Sequence, residues 1–148
     1  SELEDKIAVL LGGRAAEELS YGEVSTGASD DLSKASDIAK SMVTRFGMSH
    51  VLGKASLEML QQPFLQQDSV VRAEYSEKTA REIDTEVRRI LDQQYERALA
   101  ILRDHSTVLR NTASTLLEKE TLTGEELHAI WRTTDERVRD RVEEAVLV

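Results

Sequence analysis

Two groups of carboxylates and three histidines are the residues with chemistry to offer. The stretch Val24, Ser25, Thr26, Gly27, Ala28, Ser29, Asp30, Asp31 leads into a helical pattern and has the small-residue form of an anion cradle at a helix N-terminus. Its acidic pair argues against that use, because two carboxylates repel phosphate. They suit a cation instead, and a helix N-terminus helps to keep them ionised. On the residues alone, capping groups and cation ligands both remain open readings of Asp30 and Asp31. Glu17 and Glu18 read as the exposed end of an earlier amphipathic helix. None of His50, His105 and His128 has a partner at the i, i+4 spacing that sets two imidazoles around one metal, so there is no self-contained zinc motif. The three read as surface or capping groups, and no nucleophile-elbow pattern supports a Ser-His-Asp triad.

The elements that must position these groups are helical. Leu3, Ile7, Leu10, Leu11, Ala15 and Leu19 recur at spacings of three and four, the signature of one buried helical face. Gly12 and Gly13 inside that helix each cost about 1 kcal/mol relative to Ala, which points to close approach of another backbone. Ser20 to Ser29 reads as a short loop. A second helix follows with Leu32, Ala35, Ile38, Ala39, Met42, Val43 and Phe46 on one face, Ser29 or Asp30 as its cap and Gly47 as its stop. From about 48 to 72 the periodicity fades into a long loop with Gly53, Pro63 and four glutamines.

Near Ser76 the longest helix begins, about 30 residues by its 3.6-residue period, with Ile83, Val87, Ile90, Leu91, Ala98, Ile101 and Leu102 on one side. A break at Asp104 to Ser106 starts a further helix through Leu117, and the two are expected to pack as a long antiparallel hairpin. Thr123 and Glu126 form a capping box, flanked by Leu122 and Leu127 at the positions of a hydrophobic staple, ahead of a short helix through Trp131. The expected class is therefore all-α, a helical bundle over residues 1–132 with a charged tail over 133–148. That tail reads as a weak amphipathic helix or a frayed terminus.

Composition narrows the partners. In 148 residues there are 28 acidic and 19 basic side chains, a net charge of −9, so the long-range field repels nucleic acid and anionic lipid. The chain has no cysteine, which excludes disulfides, zinc ribbons and thiol nucleophiles and leaves His, Asp and Glu as the only metal donors. There is no run of apolar residues long enough to span a bilayer and no basic-then-apolar leader. Ser1 in place of Met is expected to mark a truncation or processing boundary, with Met removal as the ordinary alternative.

The order of residues from Leu10 to Gly53, LLGGRAAEELSYGEVSTGASDDLSKASDIAKSMVTRFGMSHVLG, resembles the segment of FtsH-type ATP-dependent zinc metalloproteases that follows their zinc-binding helix. Four motifs stand in register: Gly-Gly-Arg-x-Ala-Glu-Glu, Ser-Thr-Gly-Ala-x-x-Asp, Ala-x-x-Ile-Ala-x-x-Met-Val and Gly-Met-Ser-x-x-x-Gly. SEKTAREIDTEVRRILDQQYERALAIL and LLEKETLTGEEL resemble later helices of the same domain, and the likeness runs from about Leu3 to Trp131.

In that family a zinc-bound water cuts the peptide bond, and the metal is held by two histidines of His-Glu-x-x-His and one aspartate. By motif position the resemblance implies that Asp31 is that aspartate. Asp30 falls at a variable position and Glu17 at an acidic one near the active site, so both are implied in supporting roles, Glu17 by orienting a ligand histidine. This sequence holds no His-Glu-x-x-His, so it carries no catalytic residue of its own and is expected to be inactive alone, without bound zinc. It also lacks a Walker A sequence, so ATP and magnesium belong to an ATPase domain of the parent only. The resemblance further implies a homo-hexameric parent acting on unfolded and membrane proteins. That parent would be anchored through segments absent here, at the cytoplasmic face of the inner membrane or the matrix or stromal face of an organelle, with this piece itself soluble. The competing expectation is a naturally short, non-catalytic paralogue that serves as a helical oligomerisation or interaction module.

Overall fold

Apolar periodicity turns directly into helix in the computed structural model, which describes residues 1–23, 25–49, 51–53, 57 and 76–134. Among these the order is α1 (Glu2–Tyr21), a 3₁₀ turn (Thr26–Ala28), α2 (Ser29–Thr44), α3 (Glu77–Asp104) and α4 (Ser106–Lys119). A further helix, α5, covers 124–134. The fold is all-α, as expected. Most of the 48–72 loop, His50 and residues 135–148 of the tail lie outside the described residues. The chain divides into two compact units, Ser1–Leu99 and Ala100–Val148.

The first unit is built on one stripe from each of three helices. Ile7 and Leu11 of α1, Ala35, Ala39, Met42 and Val43 of α2, and Ile83 and Ile90 of α3 form its core cluster. Burying these side chains contributes about 1.5–3 kcal/mol for each large one, which is what holds helices whose surfaces are otherwise charged. α3 buries more than its apolar period announces. Glu86 and Gln94 are only 4% and 3% exposed, each on the inward side of the helix. Ser49 Oγ donates to Glu86 Oε2 at 3.1 Å while accepting from the Val51 and Leu52 amides at 3.1 and 3.2 Å. One hydroxyl thus folds the Gly-Met-Ser turn after α2 and ties it to α3. The left-handed conformations this turn needs fall on Gly47 (φ 58°) and Gly53 (φ 72°).

Two local expectations are corrected. A Cβ built on Gly12 or Gly13 meets nothing within 4 Å, so no backbone approaches closely there among the described residues. The two glycines lie away from the buried stripe of Ile7, Leu11 and Ala15, and it is this stripe that offsets their poor helix propensity. Neither Ser29 nor Asp30 caps α2. Its N-cap is Ala28, which makes no side-chain bond, and capping has moved upstream to Ser25, whose Oγ accepts from the Gly27 amide of the 3₁₀ turn.

In the second unit the break falls at His105, a single residue. The His105 amide donates to the Ile101 carbonyl and the Leu109 amide to the His105 carbonyl, so hydrogen bonding of the helical type continues through the joint. The hairpin contacts are made one element later, by α4 with α5. Lys119 pairs with Glu126 at 2.7 Å beside the turn, Asn111 Nδ2 donates to Thr134 Oγ1 at 3.0 Å away from it, and the His105 and Trp131 rings lie 4.4 Å apart. The expected capping box is present: the Thr123 amide donates to Glu126 and the Glu126 amide donates to Thr123 Oγ1.

Candidate metal-ligand loop

The site grows from the way α1 ends. Gly22 takes the left-handed conformation (φ 72°) and its amide donates to the Glu18 carbonyl, closing the helix and turning the chain back. Ser25 is then extended (φ −81°, ψ 169°), and the 3₁₀ turn Thr26–Ala28 runs without interruption into α2. Asp30 and Asp31 fall in the first turn of α2, where carboxylates interact favourably with the helix dipole.

The two aspartates differ in their engagement. Lys34 Nζ lies 2.6 Å from Asp30 Oδ2 and 3.8 Å from Asp31 Oδ1. Asp30 is therefore the direct ion-pair partner, and such an exposed i, i+4 pair adds little to stability. Asp31, its side chain half exposed, is left with the looser contact.

Glu17 and Glu18 are more than an exposed helix end. No basic residue occupies the last turn of α1, so both carboxylates sit unfavourably at the negative end of its dipole. Each is met by a donor from elsewhere. The Ser25 amide donates to Glu17 Oε2 at 2.9 Å and the Ser25 hydroxyl to Oε1 at 2.8 Å. These bonds, the amide first and the hydroxyl second, hold the Glu17 carboxyl below its ordinary range. The Tyr95 hydroxyl donates to Glu18, and burial together with this bond pushes the phenol up to about 12. A cleft of about 270 Å³ beside the loop is lined by Glu17, Tyr21, Glu23 and Ser25. Periodicity reveals neither Ser25 nor Tyr95 as a partner, since each bond joins residues that only the turn or the packing of α3 brings together.

Sequence-predicted groups thus separate. Glu17 is joined to the loop that leads into Asp30 and Asp31, whereas His105 lies against Trp131 with the rings tilted and His128 is exposed, both in the second unit. Among the described residues no group of three His, Cys, Asp or Glu side chains is arranged to hold a metal ion. Asp31 offers one carboxylate donor where a zinc centre takes three or four protein ligands.

Residues 1–130 match peptidase family M41. The chain is 53% identical over 131 residues to an ATP-dependent zinc metalloprotease FtsH of Pseudomonas putida, covering 86% of this chain and 21% of that protein. It is 46% identical over 132 residues to the protein of the same name from Methylococcus capsulatus, covering 88% and 21%, and 47% identical over 132 residues to that of Staphylococcus haemolyticus, covering 88% and 18%. The chain spans about a fifth of the length of these relatives.

Proposed function

The chain belongs to peptidase family M41, and on that premise we propose that it is the C-terminal, helical part of the proteolytic domain of a membrane-anchored ATP-dependent zinc metalloendopeptidase. Asp31 is its contribution to the metal centre, and the two histidines and the general-base glutamate come from a His-Glu-x-x-His helix of the parent. The observation that carries this reading is the Ser-Thr-Gly-Ala-x-x-Asp order, which sets Asp31 in the first turn of α2 with its carboxylate half exposed. A carboxylate so placed suits a cation ligand on two counts. The helix dipole favours its charge, and Lys34 is taken up more closely by Asp30.

The bound zinc would supply Lewis acidity and an activated water. This chain's own residues have a narrower part. Asp31 presents an anionic oxygen, Asp30 occupies Lys34, and Glu17 supports the loop. No helix among the described residues is long and apolar enough to cross a membrane, so anchoring is assigned to other segments of the parent. Protein substrates, the hexameric ring and the cytoplasmic, matrix or stromal placement belong to the same proposal. The 53% identity to a relative named as an ATP-dependent zinc metalloprotease supports it.

The test is ligand substitution in the parent. Asp31→Ala lowers zinc affinity by more than about 100-fold, beyond the usual loss from removing an outer partner of a ligand, and proteolysis falls with it. Asp30→Ala, which releases Lys34 toward Asp31 but removes no ligand, lowers both by much less. Full zinc content and activity in Asp31→Ala would remove Asp31 from the ligand set.

A further inference from the structure

We propose that Glu17 is a positioning residue whose carboxylate clamps Ser25 and thereby fixes the entry into α2 that carries Asp31. The proposal rests on the reading of Asp31 as a metal ligand. Glu17 and Ser25 lie eight residues apart across the left-handed Gly22 turn, and both Glu17 oxygens are engaged by this one residue, through its amide at 2.9 Å and its hydroxyl at 2.8 Å. The same hydroxyl oxygen accepts from the Gly27 amide at 3.2 Å. Glu17 therefore orients the group that caps the 3₁₀ turn.

The next link is mechanical. The Ser29 amide donates to the Thr26 carbonyl, so the 3₁₀ turn passes directly into α2, whose own N-cap, Ala28, contributes no side-chain bond. Restraint on the first turn of α2 is thus inherited from Ser25, and through it from Glu17. Gly27 fits this arrangement closely, since a Cβ there would lie 3.3 Å from Ser25 Oγ and press on the clamped hydroxyl. A catalytic group displaced by about 1 Å can cost about 100-fold in rate, so a residue that touches no metal still sets activity by holding this entry in place. The clamp also differs from a role in orienting a histidine, because it acts through Ser25.

Two sets of measurements test it. In this chain, Glu17→Ala speeds hydrogen exchange at the Ser25 and Gly27 amides by about tenfold, the worth of a charge-assisted hydrogen bond. Glu17→Gln keeps an acceptor for the amide and a donor for Ser25 Oγ, and restores most of the protection. In the zinc-loaded parent, Glu17→Ala and Ser25→Ala each weaken zinc retention about 10- to 100-fold. The double variant is no worse than either alone, and Glu17→Gln recovers most of the loss. Unchanged exchange in Glu17→Ala overturns the clamp, as does Ser25→Ala with normal zinc retention beside a damaged Glu17→Ala. Should Asp31→Ala retain zinc, the metal-ligand reading fails, while exchange at Ser25 and Gly27 still judges the clamp independently.

Discussion

Glu17 and Glu18 end α1 where its dipole disfavours negative charge, and each is matched by a donor from outside the helix. At this scale a carboxylate is defined by its donors, and Glu126 shows the consequence for pH. Lys119, then the Thr123 amide and hydroxyl, pull its carboxyl from 4.5 to about 2. Because the folded state binds this proton less readily than the unfolded chain, the contribution is fully present above about 4.5. It is lost as pH falls through about 2. Carboxyl titration by NMR is expected to show Glu126 titrating well below 4.5. Glu126→Gln is expected to flatten the acid limb of the α4–α5 unfolding curve in that window.

At the scale of elements, helix ends carry the design. α1 stops at Gly22 because only that residue adopts φ 72° without strain, and the return of the chain toward Ser25 depends on it. Gly22→Ala is therefore expected to cost about 1–2 kcal/mol, the penalty for an L side chain in the left-handed region. Gly13→Ala makes the opposite case. Gly13 is helical with open space around its Cβ position, so in this chain the change stabilises by about 0.5–1 kcal/mol through better helix propensity. Thermal melts of the two variants against the parent sequence check the pair, and a Gly13→Ala that destabilises would show that some backbone does approach α1 there.

At the scale of the molecule, stability of the first unit concentrates in a few aliphatic side chains. Ile7 and Val43 are fully buried in a cluster shared by α1, α2 and α3. Truncation of Ile7 to Ala is expected to cost about 2–5 kcal/mol, the range for an aliphatic side chain whose cavity cannot fully collapse. Urea unfolding followed by far-UV circular dichroism reads this as a lower midpoint at unchanged slope. A loss below about 0.5 kcal/mol, the range of an ordinary surface substitution, would mean that this cluster does not hold the three helices together.

The amino-acid order by itself determined the all-α class, the apolar stripes of α1 and α2, the Thr123–Glu126 capping box and the family. Each of these rests on residues close in sequence, where a 3.6-residue period or a fixed motif spacing suffices. It also placed Asp31 at the start of α2, because the small-residue loop and the helical period meet there. The partners of Glu17, Glu18 and Ser49 were beyond its reach, as was the inward placing of Glu86 and Gln94 on a face that periodicity reads as mixed. Gly12 and Gly13 misled for the same reason, since a glycine in a helix signals a possible close approach but not whether anything arrives. The bond between residues 8 positions apart depends on the path of the Gly22 turn, and those between residues 37 and 77 positions apart depend on how α3 packs, none of which a local period can settle. So the sequence named Asp31 as the candidate ligand, and only the tertiary structure joined Glu17 to the loop that presents it.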